Sequence, residues 1–190
     1  MIRTIPAAVL AAAVLTATAA RAQTQPAPAP PSASAAPTAP LATPTPNYVT
    51  QQLEIVVKRP AARTWARIGG FCDLREWLQR PCTIVSGKEG ELGAVRAFPG
   101  GTIEPIVAVT PLSYTYAFPV RIGAHYNMQH NTLEVRPIDK KTSLIVYSFM
   151  WDNSQVPEGQ RAAQFVNRRN LLMPAMERMK AIVESGKPRP

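Results

Sequence analysis

Glu104 is the only acid in the run Gly101 to Thr110 (GTIEPIVAVT), which is otherwise apolar or uncharged. Arg96 stands in the strand-like run before it, Ala94 to Phe98. If the two runs pair as a hairpin across Phe98 to Gly101, Arg96 and Glu104 come to one face. Buried there, each charge needs the other, because an isolated ion in an apolar interior is strongly disfavoured. Three chemistries are open to the pair. It is a salt bridge that supports the sheet, or a group that orients a polar ligand, or it leaves Glu104 as an acid/base with a pKa raised by desolvation.

Tyr114, Tyr116 and Phe118 alternate and share one strand face. With Tyr126, Met128, Phe149 and Trp151 they supply aromatic and soft walls, suited equally to plain core and to a binding surface. His125 and His130 are five residues apart, so in a strand they point to opposite faces and make a poor metal or catalytic pair. No Gly-x-Ser-x-Gly turn, phosphate loop, dinucleotide fingerprint or zinc motif is present, and neither a metal nor a cofactor is expected. Cys72 and Cys82 flank a segment that turns at Pro81. An oxidising compartment favours a structural disulfide between them, with free thiols as the alternative.

The element that must position these residues is the last one, Glu158 to Ser185, rich in Ala, Leu, Met, Glu, Arg and Lys. Phe165, Arg169, Leu172, Met176, Met179 and Val183 recur every three or four residues, with Val166, Met173 and Ile182 beside them. That spacing predicts one amphipathic helix of roughly 40 Å. Pro174 removes a bond to the carbonyl of Asn170, and a bend is expected there. Asn170 either bonds its own backbone or faces a cavity with polar contents; Arg169 either snorkels outward or borders the same cavity.

The preceding chain reads as this helix's broad apolar partner. Leu53, Ile55 and Val57 alternate as a half-buried strand. Pro60 opens a short helix through Ile68 that Gly69-Gly70 stops, with Trp65 inward. Asp73 caps a second short helix to Leu78, with Trp77 inward. Six strands are predicted after it: Cys82–Ser86, Ala94–Phe98, Thr102–Val109, Ser113–Phe118, His125–Arg136 and Thr142–Asp152. The expected fold is α+β, a seven-stranded curved antiparallel sheet around a long C-terminal helix, with two short helices after strand 1.

The chain opens with Arg3, an apolar run from Ile5 to Ala20 and the small-x-small pattern Ala20-Arg21-Ala22. It reads as a signal peptide over residues 1–22, with no transmembrane segment left after its removal. Residues 23–47 are uncharged and Pro/Ala-rich, a disordered linker; 48–186 is the folded domain and 187–190 a tail. A periplasmic or secreted location follows. Without the leader, nineteen basic side chains face twelve acidic ones. They are scattered, with no aromatic platform between them, which argues against nucleic acid as a partner.

The element order, with Trp65, Phe71, Trp77, Gly93-Ala94-Val95-Arg96, Gly101-Thr102-Ile103-Glu104 and Tyr114-Thr115-Tyr116, resembles the helix-grip superfamily. That group includes START lipid-transfer domains, pollen-allergen-like proteins, polyketide cyclase/dehydrase-like proteins and plant abscisic-acid receptors. The likeness is strongest to small exported bacterial members of the cyclase/dehydrase-like branch. It implies a deep, largely apolar cavity between sheet and long helix. By resemblance to the hormone receptors, Glu104, Tyr126 and Asn170 face the ligand, whereas the loop at Pro99–Gly101 is shorter than the receptors' gate loop and that at Pro119–Ala124 lacks the motif of their second mobile loop.

The candidate ligand-facing set is therefore Arg96, Glu104, Tyr114, Tyr116, Tyr126, Met128, Asn170 and Met173. The function expected is an exported binding protein for a small hydrophobic or amphipathic molecule. The alternatives are a cyclase- or dehydratase-type enzyme using Glu104 with Tyr114 or Tyr126 as proton donor, and an accessory protein of a periplasmic enzyme.

Overall fold

Alternation along each strand divides its residues between a buried and an exposed face, and that division builds the domain. A computed structural model describes residues 45–119 and 127–189. The expected leader and nearly all of the linker lie outside these residues. The elements are β1 (Tyr48–Val57), α1 (Ala61–Ile68), α2 (Leu74–Trp77), β2 (Thr83–Ser86), β3 (Val95–Ala97), β4 (Ile103–Thr110), β5 (Ser113–Ala117), β6 (His130–Pro137), β7 (Ser143–Asp152) and α3 (Glu158–Ser185).

The seven strands form one antiparallel sheet in the order β1-β7-β6-β5-β4-β3-β2. Strands β2 to β7 are a plain meander, and β1 closes onto the far side of β7 with Leu53 opposite Tyr147. Register shifts between Ile84 and Ser86, and between Ile106 and Ala108, add local twist. The inner face presents Leu53, Val57, Ile106, Leu133, Val135 and Ile145. Against it α3 sets Leu172, Ala175, Met176, Met179 and Val183, all buried.

Each helix ends for a local reason. A Cβ at Gly69 would come within 2.5 Å of the Trp65 ring, so the chain can leave α1 here only without a side chain. Gly186 closes α3 with φ of 70°, a conformation glycine adopts without strain. Asp73 stands at the start of α2 but makes no capping bond. Its carboxylate instead accepts the Gly70 N–H at 2.8 Å and pairs with Arg189 at 2.7 Å. Trp65 is only half-buried, although its ring packs 5.6 Å from that of Tyr114.

Most strand ends shift by a residue from the sequence reading, and four boundaries differ in ways that matter to the packing. β1 starts at Tyr48, because its whole length pairs with β7. Asn47, placed in the linker, is docked: its N–H donates to Asp152 Oδ1 and its side-chain amide to Asn153 Oδ1, both at 2.8 Å. β6 starts at His130, with Met128 just before it at φ of 47°, which a regular strand cannot hold. The tail is also tied down, since Arg67 Nε donates to the Lys187 carbonyl at 3.0 Å. Cys72 and Cys82 are joined as a disulfide with their Cα atoms 5.5 Å apart. The bridge pins the start of α2 to the strand that follows.

Candidate functional site

The β3–β4 hairpin sets Arg96 directly opposite Glu104. Both side chains are buried, at 2% and 3% exposure. Glu104 Oε2 accepts from Arg96 Nε at 2.7 Å and lies 2.6 Å from Nη2, while Nη1 donates to the Phe71 carbonyl at 2.6 Å. The guanidinium carbon sits 4.1 Å from the Phe71 ring centre and 4.3 Å from that of Tyr116. Burial pushes the Glu104 carboxyl above the ordinary carboxylate range, and Arg96 opposes that shift. Burial also works against the Arg96 charge, but the facing Glu104 carboxylate opposes it and the guanidinium is shifted upward. A carboxylate oxygen that takes two guanidinium N–H groups is not a free base. The closed pair demotes the acid/base reading of Glu104.

Next to this pair lies a hollow of about 140 Å3 between the sheet's inner face and α3. The sheet contributes Arg96, Phe98, Glu104, Tyr116, Asn131, Tyr147 and Phe149; the α2 region adds Leu74, Trp77, Leu78 and Arg80; α3 adds Arg168, Leu171 and Leu172. Phe118 and Gln129 complete the lining. It is smaller and more polar than the deep apolar cavity the resemblance implies, because large aromatic and Met side chains fill the rest of the core. Two larger hollows lie on the described surface, both more open. One, of about 370 Å3, is lined by Arg59, Arg63, Arg67 and the tail, and the other, of about 450 Å3, by Gln52, His130, Thr132 and Ser148 among others. Neither is enclosed between sheet and helix.

A chain of hydrogen bonds crosses the 140 Å3 hollow. Arg168 Nη2 donates to Gln129 Oε1 at 3.2 Å, and Gln129 Nε2 donates to Asn131 Oδ1 at 3.2 Å. Asn131 Nδ2 donates to the Tyr116 hydroxyl at 3.0 Å, which shares a further bond of 2.5 Å with the Tyr147 hydroxyl. Burial pushes the Tyr114, Tyr116 and Tyr147 hydroxyls up, so at neutral pH all three are protonated. Burial lowers Arg168, whose guanidinium stacks 4.1 Å from the Trp151 ring centre.

Of the residues singled out in the sequence, Arg96, Glu104 and Tyr116 come together around the hollow. Tyr114 is fully buried against Phe71 and Trp65, one layer away. Met128 sits at the rim of the sheet, where its sulfur accepts from the Tyr48 hydroxyl at 3.2 Å. Met173 packs at the edge of the core without lining the hollow. Asn170 is corrected outright: it is exposed. It lies two residues from buried Leu172, about 200° round the helix, and so faces away from the sheet. Tyr126 and His125 lie outside the described residues.

Five polar lining residues were missed: Arg80, Gln129, Asn131, Tyr147 and Arg168. Arg168, not Arg169, carries the polar end of the helix stripe. Both positions fit between Phe165 and Leu172, and each stands seven residues before a buried residue, Ala175 or Met176, so spacing does not separate them; the packing half-buries Arg168 against the hollow and leaves Arg169 exposed. Asn131 shares its strand face with buried Leu133 and Val135 on β6, and Tyr147 with buried Ile145 and Phe149 on β7, so strand period points to both. Gln129 precedes β6 and carried no signal. Among the described residues, no three or more His, Cys, Asp or Glu side chains are grouped to hold a metal, and no helix is long and apolar enough to cross a membrane.

No protein-family model and no curated protein matches the chain. Solved structures do. A protein from Thermobifida fusca, determined in solution, matches with TM-score 0.61 at 21% identity over 74% of this chain and 97% of its own. Norcoclaurine synthase from Thalictrum flavum, in complex with dopamine and hydroxybenzaldehyde, matches with TM-score 0.56 at 16% identity over 76% and 91%. Ara h 8.0201 matches with TM-score 0.54 at 18% identity over 74% and 100%. At these identities the likeness establishes the helix-grip fold.

Proposed function

We propose that the chain is an exported binding protein that holds a small hydrophobic or amphipathic molecule between the sheet and α3. What carries the reading is the hollow itself, set between the sheet and α3 and lined by aromatic side chains and a connected polar track. The Trp77 indole N–H is buried with no acceptor among the described residues, on a side chain that lines the hollow. An orphaned buried donor costs about 1–3 kcal/mol; the Gln51 amide oxygen, away from the hollow, is orphaned as well. Arg96, Glu104, Tyr116, Asn131 and Tyr147 line the sheet side, with Gln129 linking Asn131 to Arg168 on α3. The Thalictrum flavum synthase, which shares the fold, holds small aromatic molecules in its complex, and that supports a similar use here. Export rests on the leader-like start, the uncharged linker and the disulfide.

The test uses the full chain, expressed in its own cells and recovered from the exported fraction. Native mass spectrometry is expected to show an additional small mass, and a lipid and aromatic library to raise the melting temperature. N-terminal sequencing is expected to begin at Gln23. A ligand-free spectrum with no thermal shift across the library removes the binding reading; a retained Met1 removes the export reading.

A further inference from the structure

The hollow is unbalanced in charge, and the imbalance indicates what it takes. Three guanidinium groups line it, Arg80, Arg96 and Arg168, against one carboxylate, Glu104. Arg96 is neutralised by Glu104. Arg80 and Arg168 have no salt-bridged acid among the described residues. Each is instead stacked on an aromatic face, Arg80 at 4.0 Å from the Phe98 ring centre and Arg168 at 4.1 Å from that of Trp151. Stacking fixes the plane of a guanidinium and leaves its N–H edge available for an oxyanion. Both arginines are half-buried, whereas Tyr116, Tyr147 and Trp77 are buried, so the cations mark the open end.

The closed end also has donors to spare. The Tyr116 and Tyr147 hydroxyls carry two hydrogens, and only one lies between their oxygens, while Asn131 already donates to Tyr116. The Trp77 N–H adds a second unmatched donor. The amide oxygens of Gln129 and Asn131 are taken, by Arg168 and Gln129 respectively. The size limit is equally plain: 140 Å3 is close to the roughly 150 Å3 of a cavity known to take one benzene ring.

Resting on the binding reading above, we propose that the occupant is a compact apolar molecule of about one aromatic ring that carries an oxyanion, held by Arg168 and Arg80 at the open end. Sodium benzoate, phenyl phosphate and benzyl alcohol share the ring and differ in the headgroup. Titrated into the full chain at low salt by calorimetry, the better of the two anions is expected to bind at least about tenfold more tightly than the alcohol. Arg168→Gln is expected to abolish that preference, and Arg168→Lys to keep part of it. Which anion leads separates a carboxylate from a phosphate ligand.

Equal binding of all three probes overturns the oxyanion assignment and leaves the binding reading standing. Failure of all three, while larger library members still raise the melting temperature, overturns the size class and again spares that reading. Failure of every compound defeats both. The comparison of anion with alcohol on the unaltered chain does not depend on any variant folding.

Discussion

Arg96 and Glu104 face each other across the β3–β4 hairpin, with Nη2 2.6 Å from Oε2 and the guanidinium enclosed by the Phe71 and Tyr116 rings. The pair does two things at once. It lets β3 and β4 turn charged residues inward without an unpaired ion, and it hands the hollow a wall whose polarity is already satisfied on one side. Removing one partner strands the other in a dry site. Glu104→Ala is expected to lower unfolding stability by about 3–5 kcal/mol in urea at neutral pH. Replacing both, as Arg96→Met with Glu104→Leu, is expected to recover most of that loss. A Glu104→Ala loss below about 1 kcal/mol shows that the pair is not stranded by its burial.

The register of that pair was legible in the sequence, because one acid and one base in adjacent apolar runs have few ways to be buried together. Strand number, helix order and the disulfide were legible for similar reasons: alternation, glycine stops and two cysteines with one plausible bond. What sequence could not fix was rotational phase on α3. Arg168, Arg169 and Asn170 are all polar, and spacing does not choose between Arg168 and Arg169, which stand seven residues before buried Ala175 and buried Met176 respectively. The volume left between sheet and helix was equally hidden, since it depends on how Trp77, Tyr147 and Phe149 interleave.

The disulfide constrains the unfolded chain through a short loop, Cys72 to Cys82. Cys72→Ser with Cys82→Ser is expected to lose about 2–3 kcal/mol of unfolding stability. Thiol titration of the denatured, unreduced protein is expected to detect no free cysteine, whereas detection of two thiols contradicts the bond.

Arg67 and Glu76 tie α1 to α2 by two parallel bonds of 2.9 and 2.7 Å. The hydrogen bond from Arg67 holds the Glu76 carboxyl below its ordinary range. A carboxylate whose folded value is depressed adds stability above its unfolded value of about 4.3, and loses it as the pH falls through the folded one. The melting temperature of Glu76→Gln is therefore expected to lie below that of the unaltered chain at pH 7, with the gap closing toward pH 3. Because the pair is partly solvated, the gap at neutral pH corresponds to no more than about 1 kcal/mol. A gap that widens on acidification reverses the sign and contradicts the assignment.

Leu172 and Asn170 test the phase of α3 directly. Leu172 is buried and borders the hollow, whereas Asn170 is exposed and about 200° away on the helix. Leu172→Ala removes side-chain volume from a packed contact and is expected to cost about 2–5 kcal/mol. Asn170→Ala is expected to change stability by less than about 0.5 kcal/mol, since it loses no bond and gains slightly in helix propensity. It is also expected to leave the affinity for benzoate unchanged. If Asn170→Ala proved the costlier of the two, α3 would have to be turned by half a revolution, and Arg168 would leave the hollow with it.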